Sequence, residues 1–192
     1  SFNVTIEPAF NEPDYTAWNQ GPMSDFKEIA RLMREDEFFD SIRISGGNTL
    51  NCDEALKWYN GLSPYLDEGN THQLAGSFDN YAKFFETVRA NGHHGTADEL
   101  HNVMEAIVGV EYGMQTGIWW GYDGRARGQF CQATFGERLA YGEDRGHWTA
   151  ASIYRMPDGR IQLFGGTSER QANNSSYRIV SQDKVVYFDG HG

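Results

Sequence analysis

The chain is 192 residues long, with 39% hydrophobic and 22% charged residues, enough apolar mass for one packed domain or a domain with a small appendage. Acidic side chains number 27 against 16 basic ones, for a formal net charge of −11, which excludes the basic stripe that phosphate backbones require; no nucleic-acid partner is expected. No apolar run approaches the roughly 18 residues of a membrane span. Two cysteines, Cys52 and Cys131, are too few for a disulfide framework or a four-thiolate metal site, leaving a single bridge or two buried free thiols.

Val4 to Phe10 reads as a first strand, with Pro8 tolerated near its end. A helix follows from about Ser24, its N-cap, with Phe26, Ile29, Ala30 and Met33 on one face. Ser41 to Ser45 reads as a second strand ended by Gly46-Gly47, and Asp53 to Tyr59 as a short helix. Asn70 to Leu74 is a third strand. The helix after it is the most regular: Tyr81, Phe84, Phe85 and Val88 fall at i, i+3, i+4 and i+7, closed by Asn91-Gly92. Gly95 to Leu100 is a fourth strand, and Asn102 to about Gln115 a helix opened by a capping pair, Asn102 and Glu105. Thr116 to Trp120 is a fifth strand. Strands separated by single helices imply parallel β-α units, in a barrel or a doubly wound sheet.

After Trp120 the pattern changes. Residues 149–156, 160–166, 175–180 and 184–189 read as short strands joined by turns such as Pro157-Asp158-Gly159. The expected organisation is therefore an α/β domain over residues 1–145 and an antiparallel β-sandwich segment over 146–192, beginning near Gly146. Neither an initiator Met nor a signal-peptide pattern opens the chain, which reads as a piece of something longer.

Asn11-Glu12-Pro13 stands directly after the first strand, where carboxylates of parallel barrels project into the active-site face. Glu99 ends the fourth strand, with room between the two for three β-α units of roughly 30 residues each. Glycoside cleavage needs two carboxyl groups, one to protonate the leaving oxygen and one to attack carbon or activate water. Glu105, six residues beyond Glu99, is the rival second carboxylate, although its capping position ties it to a helix. No His, Cys, Asp and Glu set has metal-ligand spacing, and His93, His94 and His101 read as surface histidines. No metal or organic cofactor is expected.

Asn11-Glu12-Pro13, Glu99 and Gly117-Ile118-Trp119-Trp120-Gly121 resemble the second half of a clan A retaining glycoside hydrolase, a (β/α)8 TIM barrel. The resemblance covers about residues 2–121 and makes the five strands the fourth to eighth of a barrel; the distal sheet resembles the β-sandwich that often accompanies one. It implies that Glu12 is the general acid/base and Glu99 the nucleophile. It further implies that Asn11 hydrogen-bonds the sugar hydroxyl beside the reacting carbon, that Trp119 or Trp120 floors the sugar ring, and that His72 holds the nucleophile's carboxylate. Tyr15, Trp18, Trp58 and Tyr122 read as exposed loop aromatics suited to stacking on further sugar units.

The expected function is hydrolysis of a β-linked oligo- or polysaccharide by a two-glutamate double displacement. The alternative is a non-catalytic carbohydrate-binding protein on the same fold. Either has a carbohydrate partner. Half a barrel exposes two sheet edges, so a missing N-terminal segment or another copy of the chain should complete it. The substrate class suggests a secreted, periplasmic or cell-surface protein.

Overall fold

A computed structural model describes residues 6–121, 124–171 and 173–181. The chain divides into two compact units, one of Ser1–His101 with Val108–Trp120, the other of Asn102–Ile107 with Gly121–Gly192.

In the first unit, five strands form one parallel sheet in sequence order: β1 (Ile6–Pro8), β2 (Arg43–Asn51), β3 (Glu68–Ala75), β4 (His94–Leu100) and β5 (Thr116–Trp119). Parallel neighbours need crossovers, and a helix lies in each: α1 (Met23–Glu35), α2 (Cys52–Leu62), α3 (Phe78–Ala90) and α4 (Val103–Tyr112), whose first half falls to the second unit. Pro8 ends β1, an edge strand, where the missing N–H costs no ladder bond. Pro22 occupies the N-cap of α1, so the helix starts before Ser24. Of its expected apolar face, Phe26 and Ala30 are buried while Ile29 is exposed.

Gly46-Gly47 lies within β2 and does not end it. A Cβ on Gly46 would meet Leu66 at 2.6 Å and Phe26 at 3.3 Å, and one on Gly47, at φ +101°, would sit 2.6 Å from the Asn70 carbonyl oxygen. These glycines mark close packing of a helix and a neighbouring strand on β2, a role a turn reading misses. Gly69 serves likewise under Val88 and Tyr59. The helices thus rest on the face of the sheet that carries Gly46 and Gly69. Glu68, Asn70 and His72 of β3 alternate onto the other face, beside Thr96 and Asp98 of β4, as the pairings Glu68–His94 and Asn70–Thr96 require. Trp58, expected on an exposed loop, is buried in α2.

The second unit carries an antiparallel sheet of β6 (Glu137–Asp144), β7 (Thr149–Arg155) and β8 (Ile161–Thr167), preceded by α5 (Arg125–Ala133). Phe130 of α5 seats against Tyr154 and Phe164, with ring centroids 5.8 and 5.3 Å away. The sheet begins at Glu137; Gly146, the expected start, lies in the turn between two of its paired strands. Neither α5 nor β6 was anticipated, because β6 is an exposed edge strand without apolar alternation and α5 buries only Phe130 and Ala133. Residues 175–180 form no strand, and 184–189 lie outside the described residues, as does Tyr122. One antiparallel sheet, not a pair, is therefore described.

Both cysteines are free thiols; Cys52 is buried, whereas Cys131 is exposed rather than buried. No helix among the described residues is long and apolar enough to cross a membrane.

Candidate functional site

The carboxyl ends of the strands gather the chemistry. Beyond β1, the chain is pinned to β2: Glu12 N–H donates to the Asn48 carbonyl at 2.8 Å, and the Asp14 carboxylate accepts from Leu50 and Asn51 N–H at 2.8 and 2.9 Å. Both Glu12 (φ 51°) and Asn48 (φ 44°) hold left-handed backbone conformations, which cost a non-glycine residue energy and persist only when surroundings enforce them. The Glu12 side chain is delivered at 4% exposure against His72, which is wholly buried on β3.

His72 Nδ1 lies 3.0 Å from Glu12 Oε1, and its Nε2 lies 2.8 Å from Asp98 Oδ1. Glu99 Oε2 is 3.9 Å from Nδ1, and the Glu99 side chain is 18% exposed. One oxygen from each of Glu12 and Glu99 and a ring nitrogen of His72 lie within 4.8 Å of one another. His72 was expected to hold the nucleophile Glu99; its hydrogen bonds go instead to Glu12 and Asp98, with Glu99 the more distant neighbour.

The charges couple. Burial disfavours the cation on His72, but the hydrogen bond and charge of Asp98, with Glu12 and Glu99 behind it, outweigh burial and raise its pKa above the ordinary value. Asp98 is pushed up by burial and pulled further down by His72, Asn70 and Asn48, so its carboxyl sits below the usual range. Glu99 is raised, first by burial; Glu12 and Asp98 add to the rise, against His72 and His101.

Glu105 is 1% exposed and serves the start of α4. Its N–H donates to Asn102 Oδ1 at 3.0 Å while its Oε1 accepts from Asn102 Nδ2 at 2.7 Å. Glu99 is the carboxylate that the fold brings to Glu12. Asn11, beside Glu12, is half-buried. At the end of β5, Trp119 is half-buried and Trp120 is 62% exposed, its ring 6.4 Å from that of His101. Tyr15 and Trp18, both exposed, stand edge to face in the segment after Asp14, with centroids 6.0 Å apart.

Glu12, His72 and Glu99 are also the one group among the described residues whose spacing could offer a cation three ligand atoms. Such an ion would have to replace the His72–Glu12 hydrogen bond. His93, His94 and His101 are half-buried rather than on the surface: Tyr59 hydroxyl meets His93 Nδ1 at 2.9 Å, and His94 Nε2 meets Thr116 Oγ1 at 2.7 Å. A shallow depression lined by Asp67, Arg89, His93, His94 and Gln115 lies at the amino ends of the strands and holds none of the carboxylates above.

Sequence reasoning missed Asp98 and Asn48. Asp98 stands one residue before Glu99, so strict alternation should have sent the two to opposite faces. The ladder between β4 and β5 slips between Ala97 and Leu100, however, and both carboxylates approach His72.

The fold is similar to that of a GH30 endoxylanase from Clostridium papyrosolvens C71, with a TM-score of 0.53 at 18% sequence identity. The match covers 83% of this chain and 49% of that one, so the chain spans about half the length of that enzyme. The likeness is one of fold alone. No family model and no curated protein sequence matches the chain.

Proposed function

We propose that this chain is the catalytic half of a retaining glycoside hydrolase of clan A, acting on a β-linked oligo- or polysaccharide. The observation that carries the reading is the pairing of Glu12 and Glu99 at the carboxyl ends of parallel strands, with oxygens within 4.8 Å. A retaining pair stands about 5–5.5 Å apart, whereas an inverting pair leaves about 6.5–9.5 Å for a water. The fold likeness to an endoxylanase supports it. Glu12 protonates the glycosidic oxygen as Glu99 attacks the anomeric carbon; Glu12 then takes a proton from the water that cleaves the glycosyl ester. Asn11 contacts the neighbouring sugar hydroxyl, Trp119 or Trp120 floors the ring, and Tyr15 and Trp18 stack on further units.

In this reading β1 to β5 are the last five strands of a TIM barrel. The sheet has two edges, β1 and β5, and on its polar face Glu68 Oε2, Ser45 Oγ and Thr96 Oγ1 are buried without a hydrogen-bond partner. Buried polar atoms of that kind cost energy until paired; the two open edges fit closure by a preceding barrel segment or another copy of the chain. A polymeric substrate fits a secreted, periplasmic or cell-surface protein.

The test is turnover of β-linked xylan, glucan, mannan and galactan by the complete protein, with product configuration followed by proton NMR. The expected result is a β-anomer as first product, at a rate unchanged by EDTA. An α-anomer first contradicts double displacement. Glycan binding without turnover favours the non-catalytic alternative, and loss of turnover with EDTA favours a metal at Glu12, His72 and Glu99.

A further inference from the structure

Two residues without a role in the chemistry above close a ring of hydrogen bonds around Glu12. Its backbone N–H donates to the carbonyl of Asn48 at 2.8 Å. The Asn48 amide donates to Asp98 Oδ2 at 3.2 Å. Asp98 Oδ1 meets His72 Nε2 at 2.8 Å, and His72 Nδ1 returns to Glu12 Oε1 at 3.0 Å. Four strand ends thereby determine one side chain. Asn48 grips both the backbone of Glu12 and the residue that orients its histidine, and its left-handed φ of 44° presents its carbonyl and its amide to these two partners.

An ionised carboxylate only accepts hydrogen bonds, so the hydrogen on Nε2 points at Asp98. The ring is wholly buried and cannot turn without giving up that bond. With a hydrogen on Nδ1 as well, His72 donates to Glu12 Oε1 whether or not Oε2 carries a proton. Glu12 then keeps one orientation through both halves of a double displacement, with Oε2 left to serve the glycosidic oxygen and later the water.

We propose that Asp98 is a positioning residue that aims Glu12 at the leaving group through His72, and that Asn48 locks Asp98 and Glu12 together. This inference rests on the glycosidase reading. It differs from a merely structural role in one respect: the loss on disruption depends on how much the leaving group needs a proton.

The experiment compares kcat/KM for Asp98→Asn and Asn48→Ala in the complete protein. The substrates are underivatised β-linked xylo-, gluco-, manno- and galacto-oligosaccharides and the 2,4-dinitrophenyl glycosides of the same sugars. Asp98→Asn preserves size but offers Nε2 a donor in place of an acceptor, which disturbs the ring's hydrogen placement as an Asp-to-Asn change does in a Ser-His-Asp triad. Positioned general acids contribute about 10²–10⁴-fold. The expected loss for Asp98→Asn is therefore about 10²-fold on the underivatised sugars and under about fivefold on the dinitrophenyl glycosides, whose leaving group needs no proton. Asn48→Ala shows the same selectivity with a smaller loss. Equal losses on both substrate classes, or none on either, overturn the inference while the wild type's turnover upholds the glycosidase. A wild type inactive on every substrate overturns both.

Discussion

Replacing Glu99 by Ala abolishes turnover, by on the order of 10⁵-fold, the scale expected when the nucleophile of a covalent mechanism is removed. Replacing Glu12 by Ala costs about 10²–10⁴-fold on an unactivated glycan, the range of general acid–base catalysis, and much less on an activated aryl glycoside. Azide separates the two roles. In Glu12→Ala it enters after the glycosyl ester has formed and yields a glycosyl azide of retained configuration. In Glu99→Ala it attacks the substrate directly and yields the inverted azide. The opposite pairing of residue and product would exchange the two assignments. The raised pKa of Glu99 adds a pH signature: attack requires the ionised form, so the acidic limb of kcat/KM lies above the ordinary carboxylate value.

The second large effect is on stability. His72 is wholly buried between Glu12 and Asp98, with Glu99 at 3.9 Å. Its removal leaves carboxylates buried without their partner, and breaking a buried charged pair from one side costs about 3–5 kcal/mol. His72→Leu is therefore expected to unfold in urea with stability lowered by about that amount near pH 6. The sign of the pH dependence follows from the shifts. The folded pKa of His72 is raised, so its contribution is complete below its unfolded value of about 6.5 and is lost as pH rises through the folded value. Asp98 is lowered, so its contribution is present above about 3.8 and is lost as pH falls through the folded value. The gap between wild type and His72→Leu thus narrows towards alkaline pH. A gap that is absent near pH 6, or that widens with alkali, contradicts the charged Asp98–His72 pair.

The parallel β-α units were legible in the sequence because their signals were the strong ones. Helical periodicity located α3 through Tyr81, Phe84, Phe85 and Val88, and the Asn102–Glu105 pair located the start of α4. The carboxylates were legible because strand ends can be counted. Gly46-Gly47 was not, since glycine for a turn and glycine for a close approach look alike until the neighbours Leu66 and Asn70 are in place. The ring around Glu12 was illegible for a related reason. Asn48 and Asp98 act through register shifts in β2 and β4, and a slip of one residue decides which face a side chain takes. In the second unit, β6 is held by pairing with β7 and not by its own alternation, so backbone hydrogen bonds supply what its composition lacks.

Covalent trapping tests the central claim most directly. The complete protein is incubated with 2,4-dinitrophenyl 2-deoxy-2-fluoro glycosides of xylobiose, cellobiose, mannobiose and galactobiose, whose slow second step accumulates the glycosyl ester, and the labelled peptide is mapped by mass spectrometry. Two glutamates acting by double displacement predict a single adduct on Glu99. An adduct on Glu12, or none from any of these sugars while the wild type turns over the parent glycans, contradicts it.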